Sequence, residues 1–278
     1  MKQQDLSWRA EDGLKLAGHF WAPVEQPRGL VALVHGHGEH CGRYGHVAEV
    51  FTERGLAVAA MDQRGHGRSE GKRGHSPSYE HLMNDIASLI TEGRRFVPEG
   101  PLVLYGHSMG GAEVLNFVLR RKPTIAGTIV TGPLLRVAFE PPSWKIALGR
   151  GMQHLWPSLT QPTGLKPEHI SRDSETVKRY SQDPLVHDKM SAKLFVDLMA
   201  AGDYALEHAH EFPAPLFLVH GAADCLTAAP ATQEFGEKMG EGCTLKIYNG
   251  WFHEVHHEPE RAQFFDDLRA WLSNDLKL

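Results

Sequence analysis

Leu102-Val-Leu-Tyr-Gly-His-Ser108-Met-Gly-Gly111 is the stretch on which the reading of the chain turns. Leu102 to Tyr105 is a short apolar run of the kind that forms a buried parallel strand. Ala112 to Arg121 carries helix formers, with apolar side chains at Val114, Leu115, Val118 and Leu119. Between them Gly106-His-Ser108-Met-Gly110 follows the pattern G-x-S-x-G. Glycines flank such a serine for a steric reason. The strand reverses sharply into a helix, the serine backbone is strained, and its neighbours have no room for side chains. The hydroxyl then sits at the carboxyl edge of a sheet and at a helix N-terminus, where developing negative charge is stabilised. Ser108 is therefore a candidate nucleophile; the competing reading is a glycine-rich turn that happens to hold a serine.

Outward from this turn the chain alternates strands and helices. A hairpin is expected over Trp8–Ala10 and Leu14–Trp21, broken at Asp12-Gly13. Strands are expected at Leu30–Val34, Leu56–Met61, Ile125–Val130, Pro215–Val219 and Thr244–Tyr248. Helices are expected at Tyr44–Arg54, Tyr79–Phe96, Ala192–His208, Ala231–Met239, and from Pro259 to about Leu272. The rhythm breaks between about Gly132 and Ser191, a proline-rich interval with few strand signals, as an inserted cap would be. The expected fold is α/β: a mostly parallel central sheet with helices on both faces. Residues 1–131 and 192–278 would form its core and 132–191 a helical cap. Chemistry in such a fold lies beyond the carboxyl ends of the strands.

Composition narrows the function classes. A 278-residue chain with 41% hydrophobic and 23% charged residues suits one large globular domain with an insertion. A formal net charge of −5 gives no basic surface for nucleic acid. No apolar run is long enough to span a bilayer, and Met1 to Leu6 lacks the apolar core of a signal peptide. Cys41, Cys225 and Cys243 have no metal-type spacing and fit free thiols, so a cytoplasmic location is expected, with peripheral membrane contact as an extension of it. No cofactor or resident metal is expected.

A serine needs a base, and a histidine base needs an orienting carboxylate. Eighteen histidines make identity uninformative, so position must decide. With the order Ser, acid, His, the acid should follow a late strand and the histidine the last one. Asp224 follows Pro215–Val219 after a short glycine-containing loop, whereas Asp173, Asp183 and Asp188 fall in the cap interval. His253 follows Tyr248 in a loop containing Gly250; His256 and His257 lie nearer the last helix. The oxyanion hole is assigned to the backbone N–H groups of Met109 and His37, the latter in the loop His35-Gly-His-Gly38 after the Leu30–Val34 strand.

These pieces resemble the monoacylglycerol lipase and lysophospholipase-like group of the α/β-hydrolase family. The matching stretches are His35-Gly-His-Gly-Glu-His-Cys-Gly-Arg-Tyr44, Asp62-Gln-Arg-Gly-His-Gly-Arg-Ser-Glu-Gly71, Gly106 to Gly111, Ser181-Gln-Asp-Pro-Leu185, the loop ending in Asp224 and the stretch around His253. The resemblance implies an α/β-hydrolase fold with a helical lid over an apolar acyl tunnel, and cleavage of a monoacylglycerol through an acyl-enzyme. It further implies a glycerol head-group pocket containing Arg43, Glu140 and His256. His37 and Cys41 depart from the pattern, where many relatives carry a small apolar residue and a serine. Lysophospholipase or other carboxylesterase activity remains the alternative within the fold. In the cap, Pro142 starts an expected helix to about His154, and Leu148, Met152, Leu155 and Trp156 follow helical spacing. Those side chains either pack on the core or line the acyl path and touch a membrane or micelle, with Lys145 and Arg150 near headgroups.

Two readings from other classes compete. His35, His37 and His40 approach the ligand spacing of a binuclear metallo-hydrolase, but that leaves Ser108, Asp224 and His253 unused. A non-catalytic binder on a hydrolase scaffold has no need of all three of those groups.

Overall fold

The structure is a computed structural model that describes residues 1–139, 151–213 and 215–278. Eight strands form one sheet in the order β1-β2-β4-β3-β5-β6-β9-β10. In chain order these are β1 (Lys2–Arg9), β2 (Lys15–Ala22), β3 (Gly29–Val34), β4 (Leu56–Asp62), β5 (Leu102–His107), β6 (Gly127–Thr131), β9 (Leu216–Gly221) and β10 (Cys243–Tyr248). β1 pairs antiparallel with β2, and β2 antiparallel with β4, while every pairing from β4 across to β10 is parallel. β3 to β6 and β9 are buried along their whole length, which explains why they read as continuous apolar runs without alternation.

Helices cover both faces. On one lie α1 (Gly45–Thr52) and the last helix, α7 (Arg261–Asn274), packing Val47, Phe51, Phe264 and Trp271 against Val31, Val103 and Phe217. On the other lie α2 (Tyr79–Arg94), α3 (Ser108–Arg121), α5 (Ala192–Glu207) and α6 (Ala229–Met239), with Ile86, Val118, Leu198 and Phe235 in the core. This is the α/β-hydrolase architecture expected from the sequence. Several boundaries differ. α3 begins at Ser108 itself, four residues before the expected start, and α7 begins after Pro259 rather than at it.

Between β6 and α5 the chain leaves the sheet and forms the cap. Among its described residues are α4 (Ser174–Gln182) and a small ladder that the sequence did not announce, β7 (Thr160–Pro162) pairing antiparallel with β8 (Lys189–Ser191). The C-terminal part of the cap is tied to the core by backbone bonds. His187 N–H donates to Gly38 O and Ser191 N–H to Gly74 O, both at 2.8 Å. Gly38 (φ +78°) has no room for a side chain, because a Cβ there would lie 2.4 Å from His187 O. Glu140 and the expected helix from Pro142, with Lys145, Leu148 and Arg150, fall outside the described residues or run into them.

The loop after β4 is braced by charge. Asp62 accepts from Cys41 N–H and Arg68 N–H at 2.9 and 2.8 Å, and Arg64 grips Asp85 with two bonds of 2.6 and 2.8 Å. One buried acid on α3 lacks any such support. Both Glu113 carboxyl oxygens are without a partner among the described residues, as is the nearby Tyr79 hydroxyl. Burial, with Asp85 adding repulsion, pushes the Glu113 carboxyl well above its ordinary 4.5. The folded state therefore keeps a proton that the unfolded chain loses above that value, so this group's contribution to stability falls as pH rises. Glu113→Gln removes that dependence. In urea unfolding the variant should match the wild type near pH 4 and exceed it at pH 8 by about 1–3 kcal/mol; a constant difference at the two pH values would contradict the assignment.

Candidate active site

Ser108 sits where β5 turns into α3, with φ of 54°, one of few non-glycine residues at positive φ. The strain is sustained by close packing that only glycine permits. A Cβ on Gly106 would lie 2.5 Å from Gly110 O, and one on Gly110 would lie 2.4 Å from both Val34 O and His35 O. The serine is thus pressed against the end of β3 and the loop that follows it. Its hydroxyl opens into a cavity of about 390 Å³. The walls are mostly apolar, including Leu134, Val137, Ile170, Met190, Phe195 and Leu226.

His253 and Asp224 come to the same place from the loops after β10 and β9. His253 Nδ1 lies 2.6 Å from Asp224 Oδ2. A carboxylate only accepts, so Nδ1 carries the proton and Nε2 keeps its lone pair. Asp224 also accepts from the N–H groups of Leu226 and Thr227 at 2.7 and 3.1 Å, from Thr227 Oγ1 at 2.8 Å and from His220 Nε2 at 3.0 Å. Burial works against its charge, but His253 and His220 outweigh that and hold the carboxyl far below the ordinary carboxylate range. Burial likewise opposes charge on His253, and Asp224 outweighs it, raising the imidazole above its ordinary 6.5. Gly132 (φ +52°) leaves space for this ring; a Cβ there would lie 3.3 Å from His253 Nδ1. His253 and Ser108 line the same cavity, and no hydrogen bond joins them among the described residues. Such bonds are commonly long in a free enzyme and shorten once substrate is bound.

The loop between β3 and α1 faces Ser108, with a Cβ on Gly36 falling 3.2 Å from Ser108 Cβ. Met109 N–H is in the first turn of α3 and His37 N–H in this loop. Neither backbone donor is committed to a described partner. Burial first, and His187 next, push the His37 imidazole down to about 3, so its side chain is neutral.

Glu39, which the sequence reading passed over, holds this loop in shape. It accepts from Gly36 N–H at 2.7 Å and Tyr44 OH at 2.6 Å, and from Arg43. Arg43 then grips Glu254, the residue after His253, with two bonds of 2.7 and 2.6 Å. The guanidinium is stacked on Tyr180 at 4.8 Å. It lines a second cavity of about 370 Å³, and Tyr180 lines both. Two of the three head-group candidates lie away from the wall of the Ser108 cavity. Arg43 is committed to two buried carboxylates and is absent from the wall of the Ser108 cavity. His256 is fully buried beneath it, packed on Tyr44 and His107 with ring centroids 4.9 and 4.8 Å away, and also lines neither cavity. Glu140, the third member, lies outside the described residues.

The rival metal reading of His35, His37 and His40 finds two of its three rings already in use. His35 spends its ring nitrogens on Gly36 O and Gln63 N–H, and His40 on Asp183 and Gly42 N–H. Two other groups bring potential ligand atoms together, Glu39–His107–Glu254 and Glu254–His256–His257. Arg43 already supplies the cation to Glu39 and Glu254. Also missed by the sequence reading were His220 and Thr227 around Asp224, and His107, whose ring packs at a tilt against His253 with centroids 4.8 Å apart while Nδ1 bonds Thr131. Only the pattern of polar residues next to the assigned ones could have flagged them.

Comparison with known proteins adds the following. The family model described as serine aminopeptidase, S33 (Hydrolase_4) matches residues 25–260. The chain is 34% identical over 276 residues to a monoacylglycerol lipase of Mycolicibacterium smegmatis, covering 99% of this chain and 98% of that one. An uncharacterized abhydrolase domain-containing protein of Dictyostelium discoideum is 37% identical over 260 residues; these are 92% of this chain but 27% of that protein. The crystal structure of a Paleococcus ferrophilus monoacylglycerol lipase superposes with a TM-score of 0.83 at 34% identity, over 98% of each chain.

Two outcomes are expected. The acidic limb of the kcat/KM–pH profile should have its midpoint above 6.5, because Asp224 raises His253. Asp224→Asn should lower that midpoint and cut kcat roughly 10⁴-fold, and an unchanged midpoint would remove Asp224 from the relay. Arg43→Ala strands two buried carboxylates and should cost about 3–5 kcal/mol in denaturant unfolding. It should depress hydrolysis of simple esters and of monoacylglycerols by the same factor; selective loss on monoacylglycerols would restore a head-group role.

Proposed function

The chain belongs to the serine aminopeptidase S33 (Hydrolase_4) family of α/β-hydrolases and is a serine hydrolase; from that premise we propose that it cleaves monoacylglycerols to fatty acid and glycerol through an acyl-enzyme on Ser108. The observation that carries the reading is the Asp224–His253 bond of 2.6 Å beside a serine that opens into an apolar cavity. An activated serine alone would suit many acyl substrates, and the family description itself names a peptidase. The apolar walls favour a fatty acyl chain over a peptide. The similarity to monoacylglycerol lipases along nearly the full chain favours a glyceryl ester over other esters.

The chemistry follows from the arrangement. His253 Nε2 takes the Ser108 proton as Oγ attacks the ester carbonyl, and Asp224 stabilises the imidazolium. His37 N–H and Met109 N–H receive the oxyanion; losing one such donor typically costs about 2.7–4 kcal/mol of barrier. His253 passes its proton to the departing glycerol oxygen, then activates the water that releases the fatty acid. Residues 132–191 act as the cap over a core formed by 1–131 and 192–278.

Exposed apolar side chains of the cap give this reading a lipid-facing surface. Leu155 is 84% and Trp156 57% exposed, while Phe139 and Leu165 are exposed and also line the cavity. They suit transient contact with a membrane or micelle that presents the substrate. No described helix is long and apolar enough to cross a membrane.

The test is a hydrolysis panel of monoacylglycerols, lysophospholipids and short-chain nitrophenyl esters. Monoacylglycerols should show the highest kcat/KM. Ser108→Ala and His253→Ala should each lose roughly 10⁴–10⁶-fold in kcat. Preference for lysophospholipids would shift the substrate class, and full activity in Ser108→Ala would end the acyl-enzyme account.

A further inference from the structure

Asp224 is shared by two imidazoles, only one of which has a part in the hydrolytic steps. His253 Nδ1 and His220 Nε2 lie 2.6 and 3.0 Å from the same oxygen, Oδ2. The Thr227 hydroxyl donates to that oxygen too, while Oδ1 takes the N–H groups of Leu226 and Thr227. His220 is the penultimate residue of β9, and its side chain is wholly buried, as is that of Asp224. The next residue, Gly221, lets the loop of the base come this close. A Cβ there would lie 2.2 Å from Phe252 O, on the residue before His253.

Hydrogen-bond accounting assigns the His220 tautomer. Nε2 faces Asp224 Oδ2 and, at 3.2 Å, Thr227 O. A carboxylate and a carbonyl only accept, so Nε2 carries a proton. Nδ1 lies 2.7 Å from the Oγ1 of Thr232, in the first turn of α6. Thr232 is fully buried, and its hydroxyl has no other partner among the described residues. A second proton on Nδ1 would leave that hydroxyl hydrogen buried and unpaired, a costly state. The hydroxyl therefore donates to Nδ1, which fixes the tautomer whose N–H points at the acid.

We propose that His220 is a positioning residue for ester hydrolysis: it shares Asp224 Oδ2 with His253 and so limits how tightly that oxygen holds the base, with Thr232 fixing the tautomer that does so. The inference rests on the assignment of Ser108, Asp224 and His253 as the hydrolytic relay. Charge on Oδ2 is divided among its donors, so the His220 N–H draws off part of what the His253 N–H would otherwise receive. Without it the carboxylate is more basic, the imidazolium beside it is more stable, and His253 gives up its proton at higher pH. The other titratable groups facing His253 are His107, with ring centroids 4.8 Å apart, and Glu39 and Glu254, whose charges raise it. None of these three hydrogen-bonds to His220 or Thr232 among the described residues, so a change at either position reads the Asp224 contact.

The test follows the acidic limb of kcat/KM against pH on a short-chain nitrophenyl ester. In parallel, the titration of the His253 ring is followed by NMR of the full chain in a Ser108→Ala background, which needs no turnover. His220→Leu removes the N–H and should move both midpoints up by roughly 0.5–1 pH unit. His220→Gln restores an N–H of similar reach and should return them toward the wild-type value. Thr232→Val keeps the ring and nearly the side-chain shape, so it repeats the test without emptying the core. It weakens the His220 N–H as a donor and should shift both midpoints the same way by less. Unchanged or lowered midpoints in either His220→Leu or Thr232→Val would overturn the inference, as would a shift in His220→Gln equal to that in His220→Leu. A purely structural role predicts lower stability in all three variants with the midpoints left in place. Full activity of Ser108→Ala would instead end the hydrolytic reading, and the ring titration would still report whether His220 acts on His253.

Discussion

A single guanidinium fixes the distance between the two halves of this active site. Arg43 lies between Glu39, which shapes the oxyanion loop through Gly36 N–H, and Glu254, which follows the catalytic histidine candidate. The three charges are almost wholly removed from water, and burial penalises each of them. The arrangement is tolerable because Glu254 meets a matched two-nitrogen fork, while Glu39 takes one guanidinium bond and is completed by Gly36 N–H and Tyr44 OH. Its rigidity matters because the candidate oxyanion donor at His37 and the candidate base His253 come from loops that share no strand. A lysine could neutralise the carboxylates but could not hold both planes.

The second organising feature is the set of donors around Asp224. Two backbone N–H groups, a threonine hydroxyl and two imidazoles converge on one carboxyl group. That many donors keep the group ionised in a buried setting and leave its orientation no freedom. The orientation passes through the Nδ1 bond to the His253 ring, whose other nitrogen is thereby left with its lone pair. Ser108, at positive φ, is held with the same rigidity by glycines at 106 and 110.

The fold was legible because its signals are local. A fully buried strand is an apolar run, and a helix stop is a glycine. The sharp turn at Ser108 also leaves a five-residue trace. Asp224 and His253 were legible for a topological reason, since the loops after the last two strands of a parallel sheet open at the same edge as the serine. What failed was long-range pairing. Glu254 is 211 residues from Arg43, so nothing nearby in the sequence marks Arg43 as already paired. The position of His256 was not legible either, because a histidine three residues beyond His253 can point along the cavity or beneath it, and packing against Tyr44 places it beneath. The β7–β8 ladder escaped because each strand is three residues long and its partner lies across α4. α3 was placed late because glycines at its start look like a loop until one sees that they let the helix approach β3.

The bond from His187 N–H to Gly38 O has a consequence for how substrate gets in. The hydrogen bond between His40 Nε2 and Asp183 Oδ2 fastens the same stretch of cap to the same loop. A doorway hinged at residues 183–191 would drag the oxyanion loop outward whenever it opened, so the enzyme would be admitting lipid in a state unable to attack it. Traffic must therefore pass elsewhere on the cap, or else entry and chemistry alternate, with reclosure of this seam acting as the step that arms the site.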